Sequence, residues 1–482
     1  MVELARKILR NSVFNSSRVF ISGFGGFAFS VALARTLTPD LFGIYALATT
    51  VCFFIFQLDP GTGYTAVRYI SYSLGRGDEA SARGYFRFLL KIRLILGFVF
   101  SSLLVLLSGY LTYQVFDKPE LLIPLRVLAV FLFFFYLTDF LDYSSEALQN
   151  FKYPSIRHAI FEASKFAFAV PLAIWGYFNG IFIGMATATF VTFVVMIYLF
   201  NKRYKILVRG EVALIESKRV ARFMSFTSIG SISGVVFTYV DTMMLGIFLP
   251  AEYAGYFRAA GGIIFGIASI AVISGVLFPA LNQLEGERLV DAFKKAFRYS
   301  SILTFPFAVI LALFSDEIIK IIYGVEYLPA ALPLMILSPI IVFNSLNFFA
   351  PLFGAKERPE LGTLVSIISM IMNVVLNYYL IISFGLAGAA AATIISRLFS
   401  IVALGIISKK VLGIGPDAES IYKPLIASAT MFSSIYLMPE PETLVIFISE
   451  ICIGITIYFV MMMLIGGIKR EDINYIKTIF GI

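Results

Sequence analysis

At 482 residues, with 59% hydrophobic letters, 14% charged letters and a mean hydropathy of +0.89, the chain is far more apolar than a soluble domain of ordinary composition. Apolar runs long enough to cross ~30 Å of hydrocarbon recur along it without strict alternation, which excludes a β-barrel and predicts an all-α polytopic membrane protein. A single histidine rules out a two-histidine zinc motif, and neither a Gly-Lys-Ser/Thr phosphate loop nor a Gly-x-Ser-x-Gly elbow occurs, so no enzyme and no cofactor is expected.

About fourteen transmembrane helices are predicted, over 11–37, 43–69, 88–114, 121–147, 155–176, 178–200, 222–248, 253–281, 295–315, 329–355, 359–383, 385–408, 420–438 and 443–466. The charged start, Met1 to Arg10, leads into a first run that contains Arg18 and reads as a retained helix, not a cleaved signal. On that helix Asn11, Asn15, Arg18, Ser22 and Gly25 are spaced 4, 3, 4 and 3, which puts them on one face. Such a stripe lines either a cavity or a tight helix contact. A polar turn follows from Arg35 to Tyr45, and its pattern Pro39-x-x-Phe42-Gly43-x-Tyr45 returns 211 positions later as Pro250-x-x-Tyr253-Ala254-x-Tyr256.

The second run is interrupted by Gln57-Leu-Asp-Pro-Gly-Thr-Gly63. A break at membrane depth is tolerated where it lines a cavity or is covered by protein. Asp59 beside it either couples a cation or caps the restarted helix. On the fourth run Asp139, Asp142 and Glu146 share a face and are expected to balance Arg or Lys from neighbouring helices; Arg126, nearer the other end, is assigned an acidic neighbour. Glu162 and Lys165, three apart on the fifth run, are positioned to pair. His158, beside Arg157, reads as an interfacial side chain.

The basic segment Asn201 to Arg219 is the natural linker, a strip on the membrane surface. The seventh run carries a second polar stripe, Thr227, Ser231, Gly234, Thr238 and Asp241. Arg35 and Arg258 fall near the outer helix ends, where snorkelling competes with a binding role. Asn373 and Asn377 lie one turn apart on the eleventh run. Arg397, amid Ala, Ile and Leu on the twelfth, is the strongest candidate for a cavity cation, because a charge at a helix centre costs about 2.5–3.5 kcal/mol on insertion scales. Cys52 and Cys452 sit inside apolar runs as small packed hydrophobes, and most of the abundant aromatic rings are assigned to lipid-facing or interfacial positions.

Segment charge orients the helices. Alternate connections, starting with the N-terminus, carry 30 of the 38 Lys and Arg; the opposite connections hold only Lys118 and Lys320. This asymmetry places both termini in the cytoplasm, in a cell membrane, and accounts for most of the +8 charge without nucleic acid. At the offset of 211, Gly75 also falls on Gly286 and Phe86-Arg87 on Phe297-Arg298. The echo divides the chain into two six-helix lobes, 1–210 with the basic linker and 211–415, related as parallel repeats, with a terminal helix pair and tail over 416–482.

The residues Leu37-Thr-Pro-Asp-Leu-Phe-Gly-Ile-Tyr-Ala-Leu47, Asp59-Pro-Gly-Thr-Gly-Tyr-Thr-Ala-Val-Arg-Tyr69, Gly75-Arg-Gly-Asp78, Tyr239-Val-Asp-Thr-Met-Met-Leu-Gly246 and Asn373-Val-Val-Leu-Asn377, followed by Gly385-Leu-Ala-Gly-Ala-Ala390, come in an order that resembles one family. It is the polysaccharide-transporter branch of the multidrug/oligosaccharidyl-lipid/polysaccharide exporter superfamily, which includes O-antigen-type flippases. The resemblance implies a flippase that carries a polyprenyl-(di)phosphate-linked oligosaccharide across the membrane by alternating access, with glycan polymerases or glycosyltransferases as potential partners. Arginines in a cavity suit a diphosphate, because a guanidinium grips phosphate oxygens bidentately. The expected substrate-binding residues are Arg18, Arg397, Asn15, Ser22, Lys165, Arg258, Arg35, Asn373 and Asn377, with Asp59, Asp139, Asp142, Glu146 and Asp241 in ion coupling or charge balance. Two alternatives compete: a cation-coupled multidrug antiporter of the same superfamily, which would favour buried acids over Arg18, and a non-transporting scaffold of a glycan-assembly complex, which would tolerate neutralising every internal charge.

Overall fold

The computed structural model describes residues 2–271, 286–349, 352–353 and 358–468. Among them the chain is helical, with no strand. Helix α1 (Val2–Ala34) is followed by α2 (Pro39–Phe56), which starts on a proline whose fixed φ suits a first helical turn. The chain then breaks. Gly61 takes φ 72°, a left-handed conformation open to glycine, and α3 (Thr62–Gly75) restarts with Asp59 accepting from both the backbone amide and the hydroxyl of Thr62, each at 2.8 Å. Of the two roles open to Asp59, the cap is thus present. The single run expected over 43–69 is two helices.

Next come α4 (Glu79–Tyr110), extended by a π-turn Leu111–Val115, α5 (Leu122–Ala147), α6 (Lys152–Ile174), α7 (Phe178–Arg203), the short α8 (Lys205–Val208), α9 (Ser217–Phe248) and α10 (Ala251–Ala271). After the undescribed stretch 272–285 lie α11 (Gly286–Leu313) and α12 (Ser315–Ile322). In place of the first part of the run expected over 329–355, the described residues form a 3-10 turn Val325–Ala330 with the short helices α13 (Ala331–Leu337) and α14 (Ile340–Ser345). Pro339, which cannot donate a backbone hydrogen bond, divides it between the two helices. The runs expected over 359–383 and 385–408 are two helical segments, together α15 (Pro359–Leu412), separated near the expected boundary by a non-helical Gly385 with φ 58° and ψ −130°. The break is sharp: a methyl group on Gly388 would overlap the carbonyl of Leu380, eight residues earlier. Helices α16 (Glu419–Tyr436) and α17 (Leu444–Leu464) close the described chain.

Eight helical stretches among the described residues are long and apolar enough to cross a membrane. Helix α6 has the length but carries Arg157, Glu162 and Lys165 within it. The chain packs as two compact units, one of Met1–Gly262 with Val374–Ala389 and the other of Ile263–Asn373 with Ala390–Ile482. In the first unit α5 is the hub, touching α2, α3, α4, α6 and α7. One aromatic cluster of this unit has Phe86 stacked on Phe140 and Phe200, and Tyr153 edge-to-face with Phe200 and Tyr204. In the second unit α11 plays the corresponding part, packed on α14 and α16, with the Tyr458 hydroxyl of α17 donating to the Ile302 carbonyl at 3.0 Å.

The linker does not lie free. Arg83 of α4 donates to the carbonyls of Ile206 at 2.9 Å and Glu211 at 2.7 Å, Arg87 donates to Val208, and the Ala213 amide donates to the Ala80 carbonyl. Gly84 leaves the room this strap needs, since a Cβ there would stand 2.6 Å from the Ala213 carbonyl. Many aromatic rings assigned to lipid are instead core: Phe29, Phe42, Phe131, Phe140, Phe182, Phe200 and Phe293 are fully buried, because helix pairs in this bundle interlock through edge-to-face rings. Cys52 is buried as expected, whereas Cys452 lies exposed on α17.

Candidate functional site: a charge-paired interior in the first unit

Helix α5 presents Asp139, Asp142 and Glu146 at i, i+3 and i+7, one face of the hub helix. Each meets an arginine from a different helix. Arg93 of α4 reaches Asp139 at 2.9 Å and Asp59 at 3.7 Å; Arg157 of α6 reaches Asp142 at 2.6 Å; Arg18 of α1 pairs with Glu146. Arg93 is 1% exposed and Arg157 3%, so neither is an interfacial flank cation of the kind its place in the sequence implied. Leu89, Leu90, Leu94 and Ile95 around Arg93 carried that signal, because a cation wholly inside an apolar run needs an internal partner. The Arg93 guanidinium also lies 4.9 Å from the ring centre of Tyr136, whose hydroxyl donates to the Phe56 carbonyl at the helix break. His158 contacts Arg157 at 2.6 Å between ring and guanidinium nitrogens.

A second cluster lies further along α6. Lys165 pairs with Glu162 at 2.7 Å, and its ammonium sits 4.5 Å over the ring of Phe29. Gly25, a member of the α1 stripe, stands where a Cβ would come within 2.8 Å of the Glu162 carboxylate, so the stripe here makes room for charge. Arg258 of α10 lies within electrostatic reach of Tyr45 and of Lys165. The cluster therefore carries two cations, Lys165 and Arg258, around one carboxylate. Arg258 is half-buried, whereas Arg35 is exposed at the end of α1.

The remaining expected residues are dispersed. Asn15 and Ser22 are half-buried on α1. Asn377 is fully buried and donates to Asp241 at 2.6 Å; Asn373 is equally buried, within the second unit, where Arg397 is half-buried on α15. Of the α9 stripe, the side chains of Thr227 and Ser231 lie outside the described residues. Arg126 has no acidic partner: among the described residues its guanidinium bonds the Ser108 hydroxyl at 3.3 Å.

The two repeated turns meet in this unit. A methyl group on Gly43 would overlap the Ala251 carbonyl, and one on Gly255 would lie 2.7 Å from the Pro39 carbonyl and 3.0 Å from the Gly43 amide. The first turns of α2 and α10 thus touch backbone to backbone. Beside them Lys118, between α4 and α5, donates to the carbonyls of Phe116 at 3.0 Å and of Gly246, at the end of α9, at 2.7 Å. Burial pushes its ammonium below the usual lysine range, against the opposing pull of Asp117, Asp40 and Glu120.

Long apolar helices around buried, charge-paired polar groups define a multi-pass helical membrane protein. The profile of the polysaccharide biosynthesis protein family matches residues 32–332, more than half of the chain, and the chain belongs to that family. A second profile, of the lipid II flippase MurJ, matches residues 252–456. A probable low-salt glycan biosynthesis flippase, Agl15, of Haloferax volcanii is 29% identical over 187 residues, 37% of this chain and 39% of that protein. A putative O-antigen transporter of Shigella flexneri is 21% identical over 397 residues, 80% of this chain and 93% of that one. The fold is similar to that of the lipid II flippase MurJ in an inward closed conformation, at TM-score 0.77 and 16% identity over 94% of this chain and 98% of that one. It is also similar to an inward-facing multidrug resistance transporter of the MATE family, at TM-score 0.67 and 16% identity over 81% and 94%. These proteins are named as flippases and transporters, not as catalysts.

Proposed function

We propose that the chain is a flippase that moves a polyprenyl-(di)phosphate-linked oligosaccharide from the cytoplasmic to the outer leaflet of the cell membrane by alternating access of two lobes, 1–210 and 211–415. The observation that carries the reading is the excess cation in the cluster of Lys165, Glu162 and Arg258. Most internal cations are already matched to carboxylates, and a matched pair has little left for an anion. Lys165 with Arg258 offers two donors to one acceptor, the balance a phosphate would complete. Arg18, 28% exposed and paired with Glu146, joins when phosphate replaces that carboxylate; Asn15 and Ser22 share its face and bind sugar hydroxyls. Arg397, Arg35 and Asn373 complete the proposed binding set. Asp241, held by Asn377, is the proposed ion-coupling carboxylate, with Asp59, Asp139, Asp142 and Glu146 balancing buried cations. Both termini lie in the cytoplasm in this reading, and a glycan polymerase or glycosyltransferase is the expected partner.

Flipping of a lipid-linked oligosaccharide in reconstituted vesicles tests this. Losing one charge-assisted hydrogen bond, worth about 1.5–3 kcal/mol, slows transport at least about tenfold in Arg258→Gln and in Lys165→Gln, while Glu162→Gln retains it. Wild-type rates in both cation variants, at equal reconstitution, would overturn the proposal.

A further inference from the structure

Arg126 stands apart from the paired cations of the interior. It is exposed on α5, and among the described residues it makes no ion pair, its guanidinium meeting only the Ser108 hydroxyl at 3.3 Å. A guanidinium carries five N–H donors, so most of its hydrogen-bonding capacity faces outward. It borders a groove of about 560 Å³ between α5 and α7 whose other walls are apolar. One ridge is Ile123, Val127, Val130 and Phe134, at i, i+4, i+7 and i+11 of α5; the other is Ile183 and Phe190 of α7. Between them the small side chains of Ala186 and Thr187 leave the floor low. Phe134 closes the far end, edge-to-face with Phe190 at 5.0 Å.

We propose that this groove binds one phosphate-headed membrane lipid, with the phosphate on Arg126 and one hydrocarbon chain laid between the ridges. Three observations choose this occupant. Arg126 is a cation in a membrane helix without a carboxylate, and a lipid phosphate supplies the missing anion. The eleven residue-to-residue steps from Ile123 to Phe134 span about 16 Å of helix, roughly half of a ~30 Å hydrocarbon core, which is the depth of one leaflet. The cation lies toward the correct end: Arg126 is seven residues from the helical start at Pro119, and its partner Ser108 is seven residues from the end at Val115, so both lie about 10 Å in from the same interface. A lipid seated there therefore hangs its chain inward, toward the ring pair that closes the groove. In the topology proposed above this is the outer leaflet. The site is separate from the interior charge cluster and takes the lipid from the surrounding bilayer.

The test uses the full-length chain in neutral detergent, read by native mass spectrometry and by thermal unfolding. The probes are phosphatidylglycerol, diacylglycerol with the same chains, and inorganic phosphate. The expected result is one retained phosphatidylglycerol per chain, with at least about tenfold preference over diacylglycerol, and no stabilisation by inorganic phosphate at matched concentration. Arg126→Gln removes the preference. Thr187→Phe, which fills the groove from its lipid side, removes binding of both lipids, and each variant unfolds at the wild-type temperature in detergent alone. Undiminished phosphatidylglycerol binding in Arg126→Gln overturns the proposal. So does inorganic phosphate that still binds in Thr187→Phe, which would mean an anion site without a chain. A dimer of the chain that Thr187→Phe dissolves would give the groove to a second copy and also overturn it.

Discussion

Arg93 holds Asp139 and Asp59 at once while wholly buried. Removing one partner of a buried ion pair typically costs about 3–5 kcal/mol, because the remaining charge is left uncompensated. Arg93→Met is therefore expected to lower stability by that order in detergent melts, and adding Asp139→Leu to recover a substantial part; an additive loss in the double variant would contradict the pairing. The sequence made the carboxylate face of α5 legible, since its spacing alone sets it, but not the partners. Arg157 lies close to the start of α6, where cations usually face water, and only packing against α5 reveals it as internal; for Arg93 the apolar residues around it gave the signal, but not the identity of its partners. Lys118 gives a pH signature. Its folded pKa is depressed by burial, so between that value and the higher one of the unfolded chain the unfolded state binds more protons and stability rises with pH. Lys118→Met is expected to flatten this alkaline rise in melts taken across it, and an unchanged slope would place its cause elsewhere.

Among the elements, α2 and α10 show what a repeat does and does not tell. The shared Pro-x-x-aromatic-x-x-Tyr pattern marked two equivalent helix starts, but nothing in it said that the two would touch. Contact follows from the absence of side chains at Gly43 and Gly255, a feature whose meaning depends on what stands opposite. Gly43→Ala places a methyl group on a main-chain carbonyl, which cannot rotate away as a side chain would. Spin labels at Asp40 and Glu252 should then report a longer α2 to α10 distance, whereas Gly75→Ala, with open space around it, should leave that distance unchanged. Gly385 falls at the boundary the sequence placed between two runs, but the turn itself was not legible. Two apolar runs in sequence look alike whether they continue or turn, and its positive φ with ψ −130° decides; Gly385→Ala should cost about 1–3 kcal/mol, measurable in the same melts.

For the whole molecule, composition and hydropathy were enough for class, and the order of short motifs for family, because both depend on long stretches and tolerate local error. The tenth run was the least legible, since prolines decide whether an apolar stretch is one helix or several turns. The charge asymmetry of the connections makes a direct forecast about orientation. In a chain carrying Cys452→Ser, a cysteine replacing Arg76 is expected to react with a membrane-impermeant reagent only after the cells are opened, and one replacing Glu326 in intact cells. The reverse pattern would invert the topology and, with it, the direction of transport proposed here.

The meeting of Gly43 with Ala251 and of Gly255 with Pro39 has a further consequence, for how much sequence that closure demands. A seam of main chain recognises no side-chain shape or charge, so the requirement is concentrated in two positions that must carry almost nothing. In a saturation library over 39–45 and 250–256, depletion at those two glycines should be steep and nearly independent of the residue introduced, while outward-facing neighbours such as Asp40 accept chemically unlike substitutions.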